Sequence, residues 1–168
     1  MREVRIRDTL TGEVRALEPR DPGRAGIYAC GPTVYARVHV GNARPFVIFM
    51  LLRRLLAHVG YDAELVINVT DINDKIYDAA RAKGVPSTEH AAAMTRAYQA
   101  DTDRLGLGRP DAEPLATETI PEIVAMIEAL VANGHAYESG GDVYFAVRSF
   151  EAYGKLSNRD PAEMDQGE

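Results

Sequence analysis

The strongest constraint on the fold is an ordered series of segments between Ile27 and Val69: a short apolar run, a glycine-containing loop, a long helical stretch and a second apolar run. Ile27-Tyr28-Ala29-Cys30 is stopped by Gly31-Pro32, the form expected of a buried strand reaching its C-terminal edge. From Asn42 the pattern turns helical, with Ile48, Leu51, Leu52, Leu55, Leu56 and Val59 recurring at three- and four-residue steps up to Gly60. Ala63 to Val69 reads as a second buried strand carrying Leu65-Val66-Ile67-Asn68-Val69. Strand, loop, helix and strand in that order predict a parallel pair joined by a right-handed crossover, with the helix stripe laid on the sheet. The expected class is therefore α/β, a Rossmann-like parallel sheet. In such sheets ligands sit outside the C-terminal ends of the strands, so a functional loop should begin at Gly31-Pro32.

The flanking segments add a helical portion and two hairpins. Residues 3 to 17 read as a hairpin turning at Thr11-Gly12, and 19 to 26 as a loop. Helices are expected around 73 to 83 and 88 to 105. A third begins at Thr119, with Glu122 completing a capping box and Pro121 in the first turn. Its Ile123, Met126, Ile127, Leu130 and Val131 share one face, and Asn133-Gly134 supplies the stop. A C-terminal hairpin over 136 to 147 turns at Gly140-Gly141. With 168 residues, 46% of them hydrophobic, the chain can bury one core, and a single globular domain is expected. No segment approaches the roughly 18 apolar residues of a membrane helix and no apolar leader opens the chain, so cytoplasmic residence without membrane attachment is expected.

Charge and cysteine usage narrow the function classes. A formal net charge of −6 argues against the chain wrapping nucleic acid through its overall field, and leaves that task to local clusters such as Arg44, Arg53 and Arg54 or to residues outside this chain. Cys30 is the one cysteine, so no internal disulfide can form, and any special role is that of a free thiol or a metal thiolate. The alternative for a lone cysteine is a small core residue.

The loop from Cys30 to Arg44 carries the chemistry. The N-terminus of the following helix offers free N–H groups and positive potential to phosphate, and Gly41 lets backbone approach a nucleotide closely. His39 can donate to phosphate or ribose oxygens where charge develops, without acting as a base. The stretch Cys-Gly-Pro-Thr-Val-Tyr, followed by His-Val-Gly-Asn-Ala-Arg-Pro-Phe, resembles cysteinyl-tRNA synthetases, where it holds a zinc cysteine and the His-Ile-Gly-His signature of class I synthetases. Val40 stands for Ile and Asn42 for the second His, and Asn42 carries no charge. Three later blocks follow in the same order: Asn68-Val69-Thr70-Asp71-Ile72-Asn73-Asp74-Lys75, then Glu113-Pro114, then Gly141 to Phe145 with Gly154-Lys155-Leu156-Ser157.

The resemblance implies the N-terminal half of a class I synthetase catalytic domain over 1–157, including the start of a connective insertion, and a polar tail or linker over 158–168. It implies ATP with Mg2+, L-cysteine and cysteine tRNA as substrates, with the main tRNA-binding regions outside this chain. Nucleotide contacts fall to Thr33, Tyr35, His39, Gly41 and Asn42, with His39 and Asn42 as the catalytic pair. Cysteine contacts fall to Cys30, Gly31 and Thr70, and Cys30 is implied as one of four Zn2+ ligands, the other three absent from these residues. Asp71 and Asp74 are read first as helix-start acids. No Lys-Met-Ser-Lys-Ser type loop occurs among the 168 residues, so little turnover is expected of this chain by itself, and apolar surface is expected to stand exposed. Two other readings are a mycothiol-pathway cysteine ligase, which shares the adenylation step, and a non-catalytic paralogue or split fragment acting as a binding module.

Overall fold

The computed structural model describes residues 3–160. Along the chain run β1 (Arg5–Arg7), β2 (Val14–Ala16), β3 (Arg24–Ala29), α1 (Val40–His58), β4 (Asp62–Ile67), α2 (Asp74–Lys83), α3 (Ser87–Asp103), α4 (Ile120–Ala132), β5 (Ala136–Ser139) and β6 (Asp142–Phe145). The contacts gather into two compact units, one of residues 18–119 and one combining 3–17 with 120–160. Most of the expected polar tail, 161–168, lies outside the described residues.

In the first unit β3 and β4 pair in parallel, with Ile27 opposite Leu65 and Ala29 opposite Ile67, and α1 connects them as the segment order required. β3 begins at Arg24, inside the stretch expected to be loop, and an Arg24–Asp62 ion pair spans the first register position. A third extended segment runs parallel on the far side of β4: Asp111 N donates to the Leu65 carbonyl, Ile67 N to Ala112 and Val69 N to Pro114. Two prolines, Pro110 and Pro114, hide this segment in the sequence. At a sheet edge a proline need only accept, and Pro114 does.

α1 starts at Val40, two residues before the point where the pattern first reads as helical. Its buried face is Phe46, Met50 and Leu56, whereas Ile48, Leu51 and Leu55 of the expected stripe are 54%, 49% and 47% exposed. The helix is apolar on more than one side, so a three- and four-residue spacing fits two stripes at once, and only packing decides between them. Phe46 and Met50 join Leu65, Ile67 and Val69 of the β4 strand region, Ile76 of α2 and Tyr98 of α3 in one core cluster. α2 is capped by Asn73, whose side chain accepts from Lys75 N at 3.0 Å, and is closed by Gly84 in the left-handed region.

In the second unit β5 and β6 form the expected hairpin, with positive φ at both Gly140 and Gly141 as a type I′ turn demands. β1 and β2 form the N-terminal hairpin. α4 runs on from a 3-10 turn over Ala116–Thr119, so Thr119 is no N-cap; its hydroxyl donates back to the Ala116 carbonyl at 3.0 Å. The expected stop holds, with Gly134 at φ 74° and His135 N donating to the Leu130 carbonyl. No residue of α4 is buried, and Met126 is 67% exposed. No helix among the described residues is long and apolar enough to cross a membrane.

Leu65 is fully buried at the centre of β4. Leu65→Ala is expected to lower unfolding free energy by about 2–5 kcal/mol, through lost transfer energy and the cavity left behind. Urea denaturation followed by circular dichroism checks this, and a loss under about 1 kcal/mol would contradict the core described.

Candidate functional site

Beyond the ends of β3 and β4 the two chains stay side by side. Thr33 bridges Thr70, Val34 N donates to the Thr70 carbonyl at 3.1 Å, and Thr70 N donates to the Pro32 carbonyl at 3.0 Å. Gly31 lies so close to this neighbour that a Cβ there would overlap the Asn68 carbonyl oxygen. Its N–H donates to the Asn68 side-chain oxygen at 2.9 Å, and the Asn68 amide reaches the Thr70 hydroxyl at 3.4 Å. Glycine is therefore required at position 31 by backbone proximity rather than by its φ angle.

The turn into α1 is built by two expected catalytic residues acting on each other. His39 is the N-cap; its Nδ1 accepts from Gly41 N at 3.1 Å, while its own N–H donates to the Asn42 side-chain oxygen at 3.1 Å. An Nδ1 that accepts carries no proton, so this bond assigns the neutral ring's proton to Nε2, which the cap leaves free to donate elsewhere. Pro45 has no N–H for the Gly41 carbonyl four residues back, so that carbonyl lacks its helix hydrogen bond at the glycine expected to approach a nucleotide.

α3 secures the loop from the other side. His90, 3% exposed, bonds through Nε2 to the Tyr35 carbonyl at 2.8 Å; since a carbonyl only accepts, Nε2 is the donor. Arg37 makes a two-pronged pair with Asp101 at 2.6 and 2.9 Å. Lys75 lies over the Tyr35 ring at 5.8 Å. Asp71 accepts from the Thr117 N–H and hydroxyl and so ties down a distant segment, whereas the first turn of α2, where helix-start acids were expected, holds Asp74 alone.

A cavity of about 110 Å³ opens where these pieces meet. Of the expected site residues, Cys30, Gly31, Gly41 and Asn42 line it; Thr33, Tyr35, His39 and Thr70 do not. Exposed Cys30, Gly41 and Asn42 form its outer part, and buried Phe46, Ile67 and Tyr98 its inner wall. Tyr98 has its phenol pushed up to about 12, first by burial and then by the Glu113 carboxylate, with Arg109 opposing. The Cys30 sulfur lies 3.7 Å from the Gly31 carbonyl oxygen. Among the described residues no three His, Cys, Asp or Glu side chains gather to hold a metal, and Cys30 is a free, exposed cysteine.

Sequence reasoning gave no role to Asn68, Phe46, Phe49, His90 or Tyr98. Asn68 opens the Asn68–Lys75 segment and Phe46 closes the His39–Phe46 segment, and that adjacency was a usable signal. Tyr98 and His90 come from α3, where nothing in the local pattern separates a wall residue from an ordinary core residue.

Residues 16–168 match the family model described as tRNA synthetases class I (C) catalytic domain. The chain is 45% identical over 170 residues to the cysteine–tRNA ligase of Maricaulis maris, covering 99% of this chain and 37% of that protein. It is 48% identical over 164 residues to the cysteine–tRNA ligase of Xanthomonas oryzae pv. oryzae, covering 98% of this chain and 34% of that protein. The LeuRS-tRNA-LeuAMS ternary complex of Agrobacterium radiobacter is a structural neighbour with a TM-score of 0.59 and 20% identity, covering 71% of this chain and 16% of that one, a likeness of fold.

Two expectations test this geometry. Gly31→Ala is expected to cost about 1–3 kcal/mol of stability through overlap with backbone that cannot swing aside, measured by thermal or urea unfolding. The raised Tyr98 pKa means the folded state holds that proton more tightly than the unfolded chain. The contribution is therefore complete below the unfolded value of 10.0 and is lost as pH rises toward about 12. Ultraviolet phenolate titration of wild type against Tyr98→Phe should show one late-ionising tyrosine missing in the variant; identical curves would contradict it.

Proposed function

Because the chain belongs to the class I (C) tRNA synthetase catalytic-domain family, we propose that the protein activates L-cysteine with ATP, releasing pyrophosphate, and transfers it to the 3′ end of cysteine tRNA in the cytoplasm. The chain spans about a third of the length of the curated relatives it matches, and the activity belongs to a protein that also supplies the remaining catalytic elements. The relatives' shared name as cysteine–tRNA ligases does not favour the amino-sugar ligase or the non-catalytic reading.

The observation that carries the proposal is the convergence of Cys30, Gly31, Gly41 and Asn42 on one cavity at the C-terminal end of parallel strands, beside a helix N-terminus. His39 Nε2–H is the donor for phosphate or ribose oxygens, where negative charge develops as adenylate forms. Asn42 fixes the His39 backbone and so aims that donor. Thr33 and Tyr35 hold the loop's course and are the further nucleotide contacts proposed, with Mg2+ accompanying ATP as substrate. Thr70, its oxygen already accepting from Asn68, keeps a lone pair for the substrate ammonium. Zinc, where bound, supplies a Lewis-acid contact selective for a thiolate over a hydroxyl. Cys30 is the residue of this chain proposed to hold it. The net charge of −6 places tRNA contact on local cations and on residues outside this chain.

The test is cysteine-dependent ATP–pyrophosphate exchange by the full-length protein carrying this chain. Exchange with cysteine and little with serine is expected, and its absence with zinc supplied would overturn the proposal. His39→Asn separates the cap from the donor. Asparagine caps well, so the melting temperature should hold, while kcat should fall on the order of 100-fold or more with the Nε2 donor gone.

A further inference from the structure

Resting on the cysteine-activation reading, we propose that the Tyr98 hydroxyl is a further substrate contact, whose oxygen accepts a hydrogen bond from the α-ammonium of the bound amino acid in a field that Glu113 keeps negative. Tyr98 lines the cavity and is 4% exposed. A phenol buried to that degree normally has a hydrogen-bond partner. Here the Tyr98 carbonyl accepts from the Thr102 hydroxyl at 2.9 Å, but the phenol oxygen bonds to no described residue. Among the described residues, the sealed side-chain atoms that lack a partner are Arg53 Nε and Glu113 Oε1. The Tyr98 oxygen is neither sealed nor paired, and the cavity is the space that Tyr98 lines.

The surrounding charges decide which group completes it. The Arg109 guanidinium lies over the Tyr98 ring at 5.9 Å, pairs with Glu113 and reaches Asp103 at 3.3 Å, so one guanidinium is shared between two carboxylates. The Asp103 side chain is largely exposed, but that of Glu113 is only 13% exposed and its Oε1 is buried with no donor. A buried carboxylate oxygen without a partner is screened little and acts strongly on its neighbours. The same imbalance shows in the phenol itself, pushed up to about 12 by burial and then by Glu113 against the opposing Arg109. A field that disfavours a phenolate disfavours any anion there and favours a cation. Of the charged groups an amino acid brings, the ammonium therefore belongs at Tyr98. The carboxylate belongs at the outer part of the cavity, where Gly41 and Asn42 open the N-terminus of α1 and where it is free to meet the α-phosphate of ATP. An ammonium carries more than one N–H, so the bond to Tyr98 leaves a donor for Thr70.

The test measures cysteine-dependent ATP–pyrophosphate exchange by the full-length protein in wild type, Tyr98→Phe and Glu113→Gln, with melting temperatures to show that the variants fold. Tyr98→Phe keeps the ring against Phe46 and removes only the hydroxyl. Loss of a hydrogen bond to a charged group is expected to raise KM for cysteine by at least about 10-fold in Tyr98→Phe, while KM for ATP holds. Glu113→Gln, which keeps the shape and removes the charge, should move the cysteine KM in the same direction. If it does not fold, Tyr98→Phe alone decides. A pair of competitive inhibitors identifies the group concerned: cysteamine, which is cysteine without its carboxylate, and mercaptopropionate, which is cysteine without its ammonium. Cysteamine inhibition should weaken in Tyr98→Phe in step with cysteine binding, and mercaptopropionate inhibition should stay as in wild type. A merely structural loosening would weaken both and sink the assignment, as would weakened mercaptopropionate inhibition with cysteamine spared. An unmoved cysteine KM in folded Tyr98→Phe, or a rise in the ATP KM instead, overturns the contact and leaves cysteine activation standing. Lack of cysteine-dependent exchange in wild type overturns the underlying reading instead.

Discussion

The constraint on which the site depends is the contact between Gly31 and the Asn68 carbonyl. Parallel pairing of β3 and β4 brings the two chains to the sheet's C-terminal edge together, but pairing alone would let them splay apart afterwards. Gly31 removes the side chain that would force them apart, Asn68 bonds the glycine N–H, and the Thr33–Thr70 bridge continues the register past the last regular strand residues. Cys30 is thereby held at the cavity's outer part, and the following residues are led into the cap of α1. A Cβ at position 31 would displace the cysteine and the helix start at once, because both hang from the same short loop.

The His39 and Asn42 capping box shows that a structural role leaves room for the catalytic one proposed for His39. Histidine is an uncommon N-cap, and its use costs nothing here because the ring has two distinct nitrogens. One satisfies an orphan N–H of α1, and that bond determines that the other carries the proton. Asparagine at position 42, which lacks the charge of the histidine in the family signature, supplies the acceptor that the reciprocal half of the box needs. The departure from the signature is thus consistent with local physics.

What was legible in the sequence follows a simple division. Features fixed by local backbone chemistry were readable: the Gly140-Gly141 turn, the Gly134 stop, the strand–helix–strand order and the signature loop. Features fixed by packing were not. α1 offers two apolar stripes, and the sequence alone favours Ile48, Leu51, Leu52, Leu55, Leu56 and Val59, of which Leu56 is buried together with Phe46 and Met50 while Ile48, Leu51 and Leu55 are exposed. The extended segment at 111–116 was hidden because prolines signal loop, and only its edge position makes them harmless. Thr119 satisfied a capping pattern, yet the preceding 3-10 turn had already started the helix. At the site, residues contributed by the loop were readable, whereas Tyr98 and His90, brought in by α3 from far along the chain, needed the fold.

The charges around the cavity reinforce the same design. Arg109 is paired with Glu113 and Arg37 with Asp101, so these cations spend their fields on nearby carboxylates. The Glu113 oxygen not used in its pair is buried without a partner, and it repels the phenolate form of Tyr98 more than Arg109 favours it. The wall therefore stays neutral far above physiological pH, and the inner cavity carries no formal charge. Against that quiet background the partial positive charge at the N-terminus of α1 and the His39 Nε2 donor beside it are the groups proposed to meet an anionic substrate. A field set by a helix end and one fixed tautomer needs no reorganisation when charge develops, and that preorganisation is what the proposed adenylyl transfer would require of its site.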